Sequence, residues 1–133
     1  MDAPSVSPLL FYRDPKAALQ FLESAFGFET RLMVEVEGGR VMHSESVFEG
    51  QVVMVVGPPS HDGASPLDVG GRITGHVHVQ LTGGIDEICE RARLAGAKIV
   101  REPEDQPYGD RVFTCLDPEG QSWSFGQTIR RAP

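Results

Sequence analysis

The sequence predicts an α+β fold built from two tandem βαβββ modules. Three observations predict it. The order strand, helix, three strands occurs twice; each helical pattern stops at a glycine, Gly27 and then Gly96; and a proline- and glycine-rich stretch with little periodicity separates the two runs. The bounds are about 5–57 for module one, 58–74 for a connector and about 75–128 for module two, all within a single domain spanning 1–133. Residue identity between the halves is weak, so the order of elements carries the duplication.

Taken in order, Ser5 to Tyr12 is an apolar run of strand length, and Asp14-Pro15 announces a helix, with Asp as N-cap and Pro in the first turn. Ala18, Leu19, Leu22, Ala25 and Phe26 recur at helical spacing and define one buried stripe. Strands are expected at Thr30 to Val36, Val41 to Phe48 and Gln51 to Val56, the last carrying the β-branched run of an interior strand. Gly57 to Gly75 reads as a long loop. In module two, Gly75 to Leu81 alternates as a strand, and Ile85 to Ala95 is helical, with Asp86 and Glu87 in the first turn where the helix dipole favours acids. Lys98 to Arg101 is read as a strand and Glu102 to Asp110 as a polar loop holding Pro103 and Pro107.

The chain then closes on a hairpin. Asp117-Pro118-Glu119-Gly120 has the residues of a tight turn: Asp at its first position, Pro with its preset φ next, Gly at the fourth. On the entering strand Arg111, Phe113 and Cys115 share one face; on the leaving strand Trp123 and Phe125 oppose Ser122 and Ser124. A row of small hydroxyls backed by packed aromatics suits the floor of a pocket. It equally suits a half-buried strand with one solvated face.

Composition narrows the function. The 133 residues are 40% hydrophobic and 23% charged, as in ordinary globular domains. Twelve Lys and Arg against 19 Asp and Glu leave a formal charge of -7, which repels phosphate backbones and anionic membranes and so argues against nucleic-acid or membrane partners. No apolar run reaches the roughly 18 residues of a membrane span. The N-terminus lacks the pattern of a signal peptide, so a cytoplasmic location is expected. Cys89 and Cys115 have no metal-type spacing and are expected to be reduced, packed thiols.

Four motifs carry a family resemblance: YRDPKAALQFLESAFGFE from Tyr12 to Glu29, MHSESVFEGQVVMV from Met42 to Val55, GAKIVREPEDQPYGD from Gly96 to Asp110 and RVFTCLDPEGQSWSFG from Arg111 to Gly126. With them the chain resembles, over nearly its whole length, the vicinal oxygen chelate superfamily of glyoxalases, bleomycin-resistance proteins, fosfomycin-resistance enzymes and extradiol dioxygenases. It looks most like the small glyoxalase-like or PhnB-like members. The resemblance implies curved mixed sheets around a cavity, a helix on the convex side of each, and a homodimer that completes the cavities. It also implies four metal-ligand positions. These fall at Ser7 or Pro8, at Met54 or Val55, at His76 and at Ser124, so one customary ligand remains and no cofactor is expected at the usual place.

A displaced divalent metal site is the alternative. His76 and His78, like His43 and Glu45, are two residues apart, which puts each pair on one side of a strand, about 6 to 7 Å apart. Together they could hold Zn, Fe, Ni or Mn, with His76 and Glu45 as the candidate catalytic acid/base residues. Without a metal, the expected ligand-binding residues are His76, His78, Gln80 and Ser124, with Phe113 and Trp123 near the cavity edges and Tyr108 and Arg111 over its mouth. Two functions follow: a metal-independent protein that binds a flat, neutral or cationic small molecule in a dimer cavity, or a metal-dependent lyase, isomerase or dioxygenase-like enzyme. A third is an interaction module whose cavity is unused.

Overall fold

The computed structural model describes residues 5–58 and 63–130, and the expected connector positions 59–62, Pro59 among them, lie outside that set. Module one contains β1 (Leu9–Phe11), α1 (Pro15–Phe21), β2 (Glu29–Val36), β3 (Arg40–Phe48) and β4 (Gln51–Val56). Module two contains β5 (Val77–Leu81), α2 (Ile85–Ala95), β6 (Lys98–Asp105), β7 (Asp110–Leu116) and β8 (Ser122–Thr128). The sheets run β1-β4-β3-β2 and β5-β8-β7-β6, so the second repeats the first strand for strand. In each, the first and last strands of the module pair in parallel and the other neighbours are antiparallel.

Both helices obey their local signals. The Asp14 side chain accepts the Ala17 amide at 3.1 Å, and Gly27 and Gly96 close their helices at φ 82° and 109°, a region that only glycine enters without strain. After Phe21 the first helix widens into a π-helical turn, Leu22–Phe26. That turn leaves the Phe26 ring 5.1 Å from Trp123 and 4.6 Å from Phe125, among the aromatics of module two.

Three boundaries differ from expectation. The first strand is only Leu9–Phe11, because Pro8 has no N–H to give and β1 is an edge strand with a single partner, β4. The fifth starts at Val77, which leaves His76 just before it. The sixth, expected to end at Arg101, runs on through Pro103 to Asp105. Sheet position is the reason: β6 is an edge strand, and Pro103 falls in the irregular register between Arg101 and Glu104, where a missing N–H costs little. The connector also holds one 3-10 turn, Pro66–Val69, capped by Ser65.

A continuous core lies between the helices and the two sheets. It takes Leu19, Leu22 and Phe26 from α1 and its extension, Val53 and Val55 from β4, Cys89 and Ala92 from α2, and Phe113, Cys115, Trp123 and Phe125 from the closing hairpin. The hairpin faces divide as the alternation predicts: aromatics in the core, Ser122 and Ser124 on the side away from the helices. Cys89 and Cys115 are free and buried, and burial pushes their thiols up to about 11 and about 12, so both are protonated, weak nucleophiles at neutral pH.

The turn between β7 and β8 fastens the modules together. Asp117 Oδ2 accepts Tyr12 Oη at 2.5 Å and Trp123 Nε1 at 3.0 Å, while Oδ1 accepts the amides of Glu119 at 3.1 Å and Gln121 at 3.0 Å. Burial raises the Asp117 carboxyl above its ordinary range, and these four donors oppose that rise. Two residues on, Glu119 accepts the backbone amides of Arg13 at 2.6 Å and Asp14 at 2.8 Å and the Ser65 hydroxyl at 2.6 Å. Four residues of turn thus bind the start of α1, the connector and the last sheet.

Two outcomes are expected in denaturant melts. Tyr12→Phe should cost about 1 kcal/mol, whereas Asp117→Ala, which strands the Tyr12 hydroxyl and Trp123 indole in the core, should cost about 3 kcal/mol or more; equal losses would contradict this account. Burial, and then the Asp117 charge, hold the Tyr12 phenol well above its ordinary value of 10.0. A pKa raised on folding gives stability that is full below the unfolded value and lost above it. Wild type should therefore lose more stability than Tyr12→Phe as pH rises beyond about 10.

Candidate functional site

The face of module two turned away from the helices carries one hydrogen-bonded row of side chains. His76 Nδ1 lies 2.7 Å from Ser122 Oγ and its Nε2 2.7 Å from Ser124 Oγ. Ser124 Oγ lies 2.7 Å from His78 Nδ1, and His78 Nε2 lies 2.9 Å from Gln80 Oε1. The Gln80 amide nitrogen then donates to Asp110 Oδ2 at 3.2 Å and Thr128 Oγ1 at 3.3 Å. Strand register builds the row, since the parallel β5–β8 pair sets His78 opposite Ser124 and Gln80 opposite Gly126.

The direction of every bond follows from its far end. Gln80 spends its N–H groups on Asp110 and Thr128, so its carbonyl oxygen faces His78, and His78 Nε2 must carry the proton. With one proton on the His78 ring, its Nδ1 accepts from Ser124. Ser124, its one proton spent, accepts from His76 Nε2, and Ser122 donates to His76 Nδ1. Burial, and next the neighbouring His78, lower the His76 pKa, which favours this neutral form. All four ring nitrogens are spent within the row. What the two exposed imidazoles offer a ligand is ring face.

Gly126 makes room for the row. A Cβ there would come within 2.9 Å of Gln80 Oε1 and 3.0 Å of His78 Cε1, so both side chains lie across β8 only because this position has none. His78 also borders a cleft of about 350 Å³ between β4 and β5, lined by Ser7, Pro8, Gln51, Val52 and Val77 among others. Gln51 ties the two modules at that cleft, donating to Gln80 O at 3.1 Å.

His76, His78, Gln80 and Ser124 are thus brought together, and other expected site residues are not. Phe113 and Trp123, expected at the cavity edge, are fully buried on the helix side, where Phe113 stacks on Phe125 at 5.0 Å and the Trp123 indole is held by Asp117. Strand alternation puts them opposite the serines. Arg111 shares their face and is ion-paired at 2.9 Å with Asp86 of α2 and at 2.8 Å with Asp105, so it does not reach over the histidine row. Tyr108 is exposed in the turn before β7.

His43 and Glu45 form a separate cluster on β3. Glu45 Oε2 meets His43 Nε2 at 3.0 Å, and Oε1 accepts Arg31 at 2.6 and 2.9 Å. His43 and then Arg31 hold the Glu45 carboxyl below the usual carboxylate range, opposite to what a general base at neutral pH needs. The four residues of the displaced metal site do not assemble in one chain, and no group of three or more His, Cys, Asp or Glu among the described residues is placed to hold a metal. The customary family positions do not suit a metal either. They supply one imidazole with both nitrogens engaged, a serine hydroxyl it already bonds, Ser7 or Pro8, and Met54 or Val55, a donor set without a carboxylate or a free imidazole.

Sequence reasoning missed Gln51, Asp110, Gly126 and Thr128. Three of them had a signal: counting back from the turn pairs Asp110 with Thr128, and a lone glycine inside a strand, Gly126, marks a close approach.

Residues 6–125 match the family described as the Glyoxalase/Bleomycin resistance protein/Dioxygenase superfamily. The uncharacterized proteins Mb0911c of Mycobacterium bovis and Rv0887c of Mycobacterium tuberculosis are each 34% identical to this chain over 132 residues, which is 96% of it and 85% and 76% of theirs. Among solved structures, TioX from Micromonospora sp. ML1 has a TM-score of 0.75 at 28% identity, over 96% of this chain and 100% of TioX. The fosfomycin resistance protein FosX of Listeria monocytogenes shares the fold, with a TM-score of 0.67 at 16% identity over 96% of this chain and 94% of its own. With the repeated four-stranded sheets and a match across both modules, this chain belongs to the glyoxalase/bleomycin resistance protein/dioxygenase superfamily.

Proposed function

We propose that this protein binds a small, flat organic molecule against the histidine row of module two, without the customary family metal. The observation that carries the reading is the row itself: Ser122, His76, Ser124, His78 and Gln80 in one hydrogen-bonded line on a solvent-facing sheet surface, with Asp110 at its end. Imidazoles fixed by these hydrogen bonds present faces on which an aromatic or heteroaromatic ligand can stack. The cleft beside His78, at about 350 Å³, is within the range of small-molecule sites. In one chain this face is open. The reading includes a homodimer in which a second copy covers it and encloses the ligand.

The donor inventory favours binding over metal catalysis. A metal at His76 would have to displace a serine hydroxyl from one ring nitrogen, and the nearest carboxylate along the row, Asp110, is already bonded to Gln80 and Thr128. No helix among the described residues is long and apolar enough to cross a membrane.

The test is a screen of neutral and cationic aromatic compounds by thermal shift, with hits placed by amide NMR. Saturable binding that moves the signals of residues 76–80 and 122–126 is expected, and a screen in which no compound does so would remove the proposal. For such a hit, His78→Ala should weaken binding by about tenfold, the equivalent of one lost contact of about 1.4 kcal/mol. Gly126→Ala, which presses a methyl on His78 and Gln80, should weaken it in the same direction while the melting temperature stays close to wild type. Near-stoichiometric metal in protein purified without chelator, lost in His76→Ala, would replace this reading with a metal enzyme.

A further inference from the structure

We infer that the cleft between β1 and the connector is a second ligand site, one that takes an apolar molecule carrying a carboxylate or a similar anionic group. The cleft is about 520 Å³ and lies along Leu9, Leu10 and Phe11 on one side and Pro66, Val69 and Ile73 on the other. Its size fits a ligand of ordinary small-molecule dimensions. Val69 and Ile73 remain 45% and 42% exposed, so apolar surface is left uncovered where the cleft opens.

Arg72 stands between them and supplies the charge. Nearly every arginine whose surroundings are described has a partner: Arg13 has Asp68, Arg31 has Glu45, Arg93 has Glu90 and Glu102, Arg111 has Asp86 and Asp105, and Arg91 and Arg130 bond backbone carbonyls. Arg72 and Arg101 have no ion pair or side-chain hydrogen bond among the described residues, and of these two Arg72 lines the cleft while Arg101 lies on the edge strand β6. In a chain of net charge -7, acids to pair with it are plentiful.

The acids nearby are committed elsewhere. Asp68, in the same connector turn, is held by Arg13 at 2.5 Å, and Glu119, beyond Ser65, is filled by the Arg13 and Asp14 amides and the Ser65 hydroxyl. Neither pairs with Arg72: Asp68 is balanced by the Arg13 guanidinium and the Glu119 oxygens are taken by neutral donors, so an incoming anion meets a guanidinium fork beside an apolar trough. An apolar tail would lie along Leu9, Phe11 and Ile73 with its anionic head at Arg72. The site is built from β1 and the connector, shares no residue with the histidine row, and does not depend on the function proposed for that row.

Two fluorescent probes of similar shape test it, the anionic 1-anilinonaphthalene-8-sulfonate and the uncharged N-phenyl-1-naphthylamine, with decanoate as competitor. Decanoate should displace the anionic probe, and amide NMR should place that probe at residues 9–11 and 66–74. Arg72→Gln should weaken the anionic probe by about tenfold and leave the uncharged one unchanged. Ile73→Ser should weaken the decanoate-displaceable binding of both, and His78→Ala should leave that displaceable binding unchanged. Equal binding of the anionic probe to wild type and Arg72→Gln would overturn the inference, as would NMR shifts confined to other surfaces.

Discussion

Tyr12 and Trp123 lie in different modules and donate to the same oxygen, Oδ2 of Asp117. The aromatic floor under module two, the start of α1 and the path of the connector all depend on that buried carboxylate. A carboxyl group taken from water is costly unless its lone pairs are filled, and four donors fill this one. The same turn then uses Glu119 to hold the chain where it enters α1, so that an ordinary hairpin reversal becomes the joint between two halves.

That joint fixes which face of the last sheet is available for chemistry. Once Trp123 is drawn to Asp117 and Phe125 to Phe26, alternation turns Ser122 and Ser124 to the other face, where His76 and His78 meet them. The aromatic and polar faces are two readings of one register, so a one-residue slip in β8 would exchange them. Gly126 sets the remaining condition, since a side chain there would lift His78 and Gln80 off the strand.

Much of the fold was legible in the sequence. The helix at Ile85–Ala95, the turn at Asp117 and the division of the hairpin faces rest on local rules of capping, turn chemistry and alternation, and those rules hold here. The extent of β6 was not legible, because Pro103 reads as a strand breaker until the strand is known to lie at a sheet edge. Within the site, the serine and histidine positions followed from alternation. The burial of Phe113 and Trp123 depends on which face meets the helices, which a single strand pattern leaves open. Arg111 was misplaced for a related reason: its partner Asp86 is 25 residues away and is brought close only by the packing of α2 on the sheet.

The reach of Tyr12 to Asp117 spans 105 positions, and Phe26 and Phe28 of the first module pack on Trp123 and Phe125 from the far end of the chain. A duplicated architecture suggests two units that could fold one after the other, yet each half here lacks groups that only the other provides. Closing so long a loop is entropically unfavourable, and its reward comes late, when both sheets are in place. The chain should therefore gain its stability in a single concerted step, with the first module unable to settle during synthesis until the last hairpin has emerged.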